Sequence, residues 1–335
     1  MNIFEKKSPY IIAEIASAHE GNVNLAIEIA NYAIASRADA VKFQIFKSER
    51  LISKNNPFFK NFKKIEFSFK DWIKIIRSIK NKKISLIAET YDSESLLFAK
   101  SLNVFSSYKI PSSCLGDLDI LNKIKKINKP IILSAGGAEL KEIKYAYKKI
   151  DKNPSNIILM CGFQNFPTKI QDTQLNKIAK LKKYFKSSIG FADHTDSEQE
   201  NLSFGVPLMA YTLGASVIEK HITKDRKKKR NDYYSSLNPN EFSNFVNYLK
   251  DSKKAFGKSK EWKLSKAEIK YKKFTSKFAV ASKFIKKGDK ITKNNVIFKR
   301  TNQIGISQND FALLAGKKIN KSKLYDEMIY PKDIK

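Results

Sequence analysis

SIGFADHTDSEQENLSFGVPLMAYTLGASVIEKHIT, residues 188–223, reads as strand, helix, strand. Its ends, SIGFADHT (188–195) and SVIEKHIT (216–223), are short runs of the kind that form buried strands. Between Glu200 and Glu219 lies the longest uncharged stretch of the chain, residues 201–218. Pro207, two glycines and several polar residues break it up too much for a membrane span, so it reads as a buried helix leading into a strand.

The same rhythm extends back to the N-terminus. Strand-like runs occur at YIIAEIA (10–16), AVKFQIF (40–46), residues 84–91, residues 104–111, PIILSAG (130–136) and NIILMCG (156–162), each followed by a helical stretch. In residues 24–36, for example, Leu25, Ile29, Tyr32 and Ala33 share one helical face. Eight strand–helix units over about 240 residues predict an α/β fold, a (β/α)8 TIM barrel, in preference to a doubly wound sheet. No GxGxxG or GxxxxGK follows any strand, which removes the usual nucleotide cradles. After Gly257 the period changes. Residues 1–257 are expected to form the barrel, residues 258–276 a basic linker with some helix, and residues 277–335 a small β-rich module whose runs include FALLAG and EMIY.

The chain has 335 residues, with 64 Lys and Arg against 33 Asp and Glu, a net charge of +31. The lysines are spread along otherwise amphipathic segments, arginine is scarce, and no zinc-finger or RNA-binding signature appears. A solvated basic surface accounts for them, with no specific nucleic acid and no membrane as partner. Two cysteines, Cys114 and Cys161, exclude a disulfide framework. Glu5 and Pro9 break any signal-like apolar segment, so the expected location is cytoplasmic.

Barrel chemistry sits at strand C-termini. There the sequence places Glu14 at the end of the first strand and His19-Glu20-Gly21 in the loop after it, Lys42 and Gln44 on one side of the second, and Lys109 to Ser113 at the fourth. Ser134 with Gly136-Gly137 follows on the fifth, His194 on the seventh, and Glu219 with His221 on the eighth. The chain's three histidines all fall in such positions, and the seventh and eighth strands are neighbours. His194 and His221 could share a divalent ion such as Mn²⁺, Zn²⁺ or Co²⁺. Lys42 and Lys109 with Ser112 and Ser134 suit a phosphate or carboxylate.

AEIASAHEG (13–21), DAVKFQIF (39–46), YKIPSS (108–113), KPIILSAGG (129–137), GFADHT (190–195), GASVIEKHIT (214–223) and SLNPNEF (236–242) resemble, in order and spacing, the sialic acid synthase family. These enzymes condense phosphoenolpyruvate with an N-acetylated aminosugar aldehyde. FAVASKFIKKGDKIT (278–292), FKR (298–300) and LLAGKKI (313–319) resemble the antifreeze-protein-like (SAF) domain that closes those synthases. The resemblance implies a TIM-barrel homodimer in which each small domain reaches over the partner's active site.

It further implies that His194 and His221 bind the metal, usually Mn²⁺, with Mg²⁺ or Co²⁺ as alternatives. Lys42, Lys109, Ser112 and Ser134 then hold phosphoenolpyruvate, with Gln164 replacing a polar contact. Glu20, Gln44, Asp232 and Arg300 hold the sugar, and Glu20 and Glu219 are the candidate catalytic carboxylates.

Several positions depart from the family pattern. The third strand ends Ala88-Glu89-Thr90-Tyr91 where the family has Ser-Thr-Pro-Phe, setting a carboxylate where a hydroxyl faces phosphate. Phe166 lacks a tyrosine hydroxyl, Ala192 replaces a serine, and Arg230-Asn231-Asp232 replaces Gly-Pro-Asp. The expected reaction yields a sialic-acid-like nonulosonate plus phosphate. The alternatives are a synthase acting on another aldose, a Schiff-base aldolase using Lys42 or Lys109, and a non-catalytic module that binds anionic polymers.

Overall fold

Eight strands, all parallel, follow one another around a ring in the computed structural model. They are β1 (Tyr10–Glu14), β2 (Ala40–Ile45), β3 (Ser85–Thr90), β4 (Ser107–Ile110), β5 (Ile131–Ser134), β6 (Ile157–Gly162), β7 (Ser188–Asp193) and β8 (Val217–Ile222). Each pairs with the next, and β8 returns to β1 with His221 opposite Glu14, which closes the barrel. A two-residue strand, β9 (Ser236–Leu237), extends β8 beyond the ring. The structure describes Ile3 and residues 9–150, 153–163, 165, 167–257 and 261–335.

The strands are nearly continuous in apolar residues because both faces are covered. Ile11, Ala13, Val41, Phe43, Leu133 and Ile218 belong to the outer core beneath the helices. The intervening positions Tyr10, Ile12, Ala40, Ile87, Ile132, Ile158 and Val217 form the inner layer of the barrel. That layer is tight: a Cβ on Gly190 would stand 2.8 Å from Met160 Sδ.

Several helices begin where the sequence supplies caps. Asn22 starts Val23–Ala35, Ser68 starts Phe69–Ile79, Asp92 starts Ser93–Ser101, and Asp117 starts Leu118–Ile124. The uncharged stretch forms the helix Glu200–Thr212, which keeps Pro207 within it, and then enters β8. Among the described residues no helix is long and apolar enough to cross a membrane.

The chain divides into two compact units, residues 1–257 and 258–335. The segment expected as a separate linker goes with the second unit and carries the helix Lys266–Thr275. In that unit β10 (Lys277–Ala281) and β11 (Val296–Arg300) pair antiparallel over a core that includes Ala279, Ile291, Ile306, Phe311 and Ile329. FALLAG is not an extended run: most of it lies in the helix Gln308–Leu314. Ser307 caps that helix by accepting from Asp310 N–H, a start signal that outweighs the short apolar run.

Candidate active site

Two residues beyond the inner apolar layer, the same strand faces turn polar. Ile12 is followed by Glu14, Ala40 by Lys42 and Gln44, Ile87 by Glu89, Ile132 by Ser134, and Val217 by Glu219 and His221. Period-2 alternation thus carries these side chains to the C-terminal mouth. There they line a cavity of about 450 Å³ together with Lys109, Ser112, His194 and Asp232. Phe46, Leu51, Phe62 and Tyr91 give one wall an apolar character.

Charge is concentrated at the base. Lys42 Nζ contacts the carboxylates of Glu14 and Glu89 and lies 2.9 Å from Glu219 Oε1. Lys109 Nζ donates to both oxygens of Glu219, at 2.8 and 3.0 Å, and stands 3.5 Å from Glu89. All five groups are buried. Burial alone would raise the Glu219 pKa, but Lys109 and Lys42 pull it well below the usual carboxylate range. Burial likewise opposes the Lys109 ammonium, and Glu219 with Glu89 overcomes that and raises its pKa. For Lys42 burial outweighs the same carboxylates and lowers it.

His194 and His221 face each other across β7 and β8, with ring centroids 5.2 Å apart. Burial pushes His194 down to about 4, and burial together with His194 lowers His221, so both imidazoles are neutral at pH 7. His194 Nδ1 lies 2.7 Å from the Phe163 carbonyl, which can only accept. The proton is therefore on Nδ1, and Nε2 carries the ring's lone pair. Behind them Lys220 donates to Asp193 at 2.6 Å in a fully buried pair that ties β7 to β8. Two neutral imidazoles on the cavity wall suit a divalent ion completed by water or substrate oxygens. No group of three or more His, Cys, Asp or Glu that could hold a metal occurs among the described residues.

Not every expected residue enters the cavity. Glu20 is exposed at the rim, with Arg230 Nε 3.5 Å from its carboxylate, and does not line the cavity. Arg300 ends β11 in the second unit. Gln164, like Phe166, lies outside the described residues. Asp232, in a left-handed backbone conformation, accepts from Ser17 N–H at 3.4 Å, and its pKa is raised by burial. The sequence reading gave no role to Glu14 or Tyr91. That reading places Glu14 at the C-terminal end of the first strand, but without a task.

The third histidine has a different task. His19 stacks on Phe67 at 4.3 Å and accepts from Gly21 N–H at 3.0 Å, which fixes the loop after β1. Burial lowers its pKa from 6.5 to about 4. Between those values the unfolded chain binds a proton that the folded loop refuses, so stability is lost as pH falls. In urea unfolding, His19→Gln is expected to lose about 2 kcal/mol less than the parent chain between pH 7 and pH 5. Equal losses in the two proteins would refute that assignment.

Fold and mouth together define a (β/α)8-barrel protein with its polar groups gathered at the strand C-termini. The NeuB family model matches residues 29–261, and the SAF domain model matches residues 277–335. The chain belongs to the NeuB family. The N,N'-diacetyllegionaminic acid synthase of Campylobacter jejuni is 34% identical over 96% of this chain and 99% of its own length. The pseudaminic acid synthase of Helicobacter pylori is 29% identical over 93% of this chain and 94% of its own. The crystal structure of the sialic acid synthetase from Leptospira borgpetersenii, in complex with citrate, matches with a TM-score of 0.71 at 28% identity. It covers 79% of this chain and 92% of that one.

Proposed function

We propose that the chain condenses phosphoenolpyruvate with an N-acetylated aminosugar aldehyde of the N-acetylmannosamine type, in its open-chain form, giving a nonulosonate and inorganic phosphate. The observation that carries this reading is the buried pair Lys42 and Lys109, set beside Ser112, Ser134 and two neutral imidazoles in one cavity. The relatives named as synthases of legionaminic, pseudaminic and sialic acids support it.

In this reading Lys42, Lys109, Ser112 and Ser134 hold the carboxylate and phosphate of phosphoenolpyruvate. Gln44 and Asp232 orient the sugar hydroxyls, and Glu20 serves the sugar from the rim. His194 and His221 hold a divalent ion, Mn²⁺ by preference, whose contribution when bound is to polarise the aldehyde carbonyl. A bond forms between C3 of phosphoenolpyruvate and the aldehyde carbon, whose oxygen takes a proton. Water adds its oxygen to C2, and the C2–O bond to phosphate breaks. Glu219, fixed by Lys109, and Glu20 are the carboxylates that would orient that water and the sugar hydroxyls in this reading. Most of the acceleration comes from holding the reactants in register within a preorganised charged site. Arg300, at the exposed end of β11, serves the N-acyl group of a sugar held by the partner subunit's barrel, in a homodimer that exchanges its small domains.

Phosphate release from phosphoenolpyruvate with Mn²⁺, measured across a panel of aldoses, tests the reading. N-acetylmannosamine or a 2,4-diacetamido hexose is expected to support turnover, and unmodified mannose is not. Turnover confined to non-acetylated aldoses would move the assignment to a different nonulosonate. Binding of anionic polymers without any turnover would move it to a non-catalytic module.

A further inference from the structure

The base of the cavity holds one carboxylate more than its ammoniums balance. Lys42 and Lys109 face Glu14, Glu89 and Glu219, and all five are buried. Two of the carboxylates have stronger anchors. Glu14 accepts from Ala16 N–H at 2.6 Å, and Glu219 receives two bonds from Lys109. Glu89 is held through the lysines, at a position of β3 in register with Gln44 on one side and Lys109 on the other. An anion that engages Lys42 and Lys109 must take them from Glu89. Glu89 is only 3% exposed and lines the cavity that the anion fills, so once the anion is seated its carboxylate faces the phosphate with little water between them. Left ionised beside a phosphate and without its cations, it would be an unpaired buried charge, a state proteins avoid by neutralising the group.

We propose, resting on the synthase reading above, that Glu89 takes up a proton as phosphoenolpyruvate binds, cedes Lys42 and Lys109 to the phosphate, and donates its new O–H to a phosphate oxygen. The proton comes from solvent, and no bond of the substrate breaks in this step. The ionisable groups that face Glu89 are Lys42 of β2, Lys109 of β4 and, across the shared lysines, Glu14 of β1 and Glu219 of β8. Tyr91 and Cys114 also sense its charge. Burial first, and then that charge among others, holds both in their neutral forms. Glu89 thereby makes admission of the phosphate depend on pH.

Calorimetry with the full chain, Mn²⁺ and phosphoenolpyruvate alone, at pH 8 in two buffers of different ionisation heat, tests this. A phosphate's second ionisation, near pKa 6, is complete at that pH, so proton uptake on binding comes from the complex. Uptake of about one proton per ligand is expected, with Kd weakening about tenfold per pH unit from pH 7 to 9. Glu89→Gln presents a neutral donor of the same shape. It is expected to bind at pH 8 without the uptake, with a Kd independent of pH and at least about tenfold tighter. Binding by the parent chain with no proton uptake overturns the proposal, whether or not the variant folds. A variant that keeps the uptake overturns it too, by showing that the proton sits elsewhere. Absence of any phosphoenolpyruvate binding by the parent chain overturns the synthase reading along with it.

Discussion

His221→Ala is expected, on the synthase reading, to release phosphate from phosphoenolpyruvate roughly a thousandfold more slowly than the parent chain, the rate equivalent of several kcal/mol of carbonyl polarisation. The side chain is neutral, buried and on the cavity wall, so its removal leaves no charge stranded and the fold survives. The loss is expected to extend to metal: in equilibrium dialysis the variant retains little Mn²⁺, because one of the two imidazoles is gone. His194→Ala behaves alike, with the added loss of the bond to the Phe163 carbonyl. Turnover within tenfold of the parent chain at normal metal content would exclude this pair from the chemistry.

Lys109→Met is expected to lose both activity and stability. Its ammonium neutralises Glu219 at 2.8 and 3.0 Å and helps to neutralise Glu89. Breaking one side of a buried ion pair costs about 3–5 kcal/mol, because the remaining charge is left without compensation. Urea unfolding at pH 7 should show that loss. The double variant Lys109→Met with Glu219→Gln removes the stranded charge and is expected to regain most of the stability, while remaining inactive toward phosphoenolpyruvate. A double variant no more stable than the single one would mean that the pair is not coupled.

The alternation that builds the barrel also made its mouth readable. Lys42 sits between Val41 and Phe43 and has to choose a face; once the strand count implies closure, that face is the interior. The same logic placed Ser134, Glu219 and His221. It does not reach loop residues, whose direction depends on turns with no period. Glu20, at positive φ after Ser17 and Ala18, therefore stands at the rim instead of in the cavity. Glu89 was visible as a departure from a family pattern, but its partnership with both lysines depends on β2, β3 and β4 lying side by side. In the small domain FALLAG was ambiguous, because a run of that length suits either state. Ser307 and Asp310 decide it for a helix.

The cavity base is slightly negative, yet it belongs to a chain of net charge +31. Long-range attraction and short-range resistance therefore act on the same anion at different distances. Ionic strength screens the first, over a Debye length of about 8 Å at physiological salt, and hardly touches contacts inside the barrel. Added salt should slow capture of an anionic ligand while leaving its escape rate nearly unchanged. The lysine-rich exterior then governs how fast the site fills, and the buried carboxylates govern how long it stays filled.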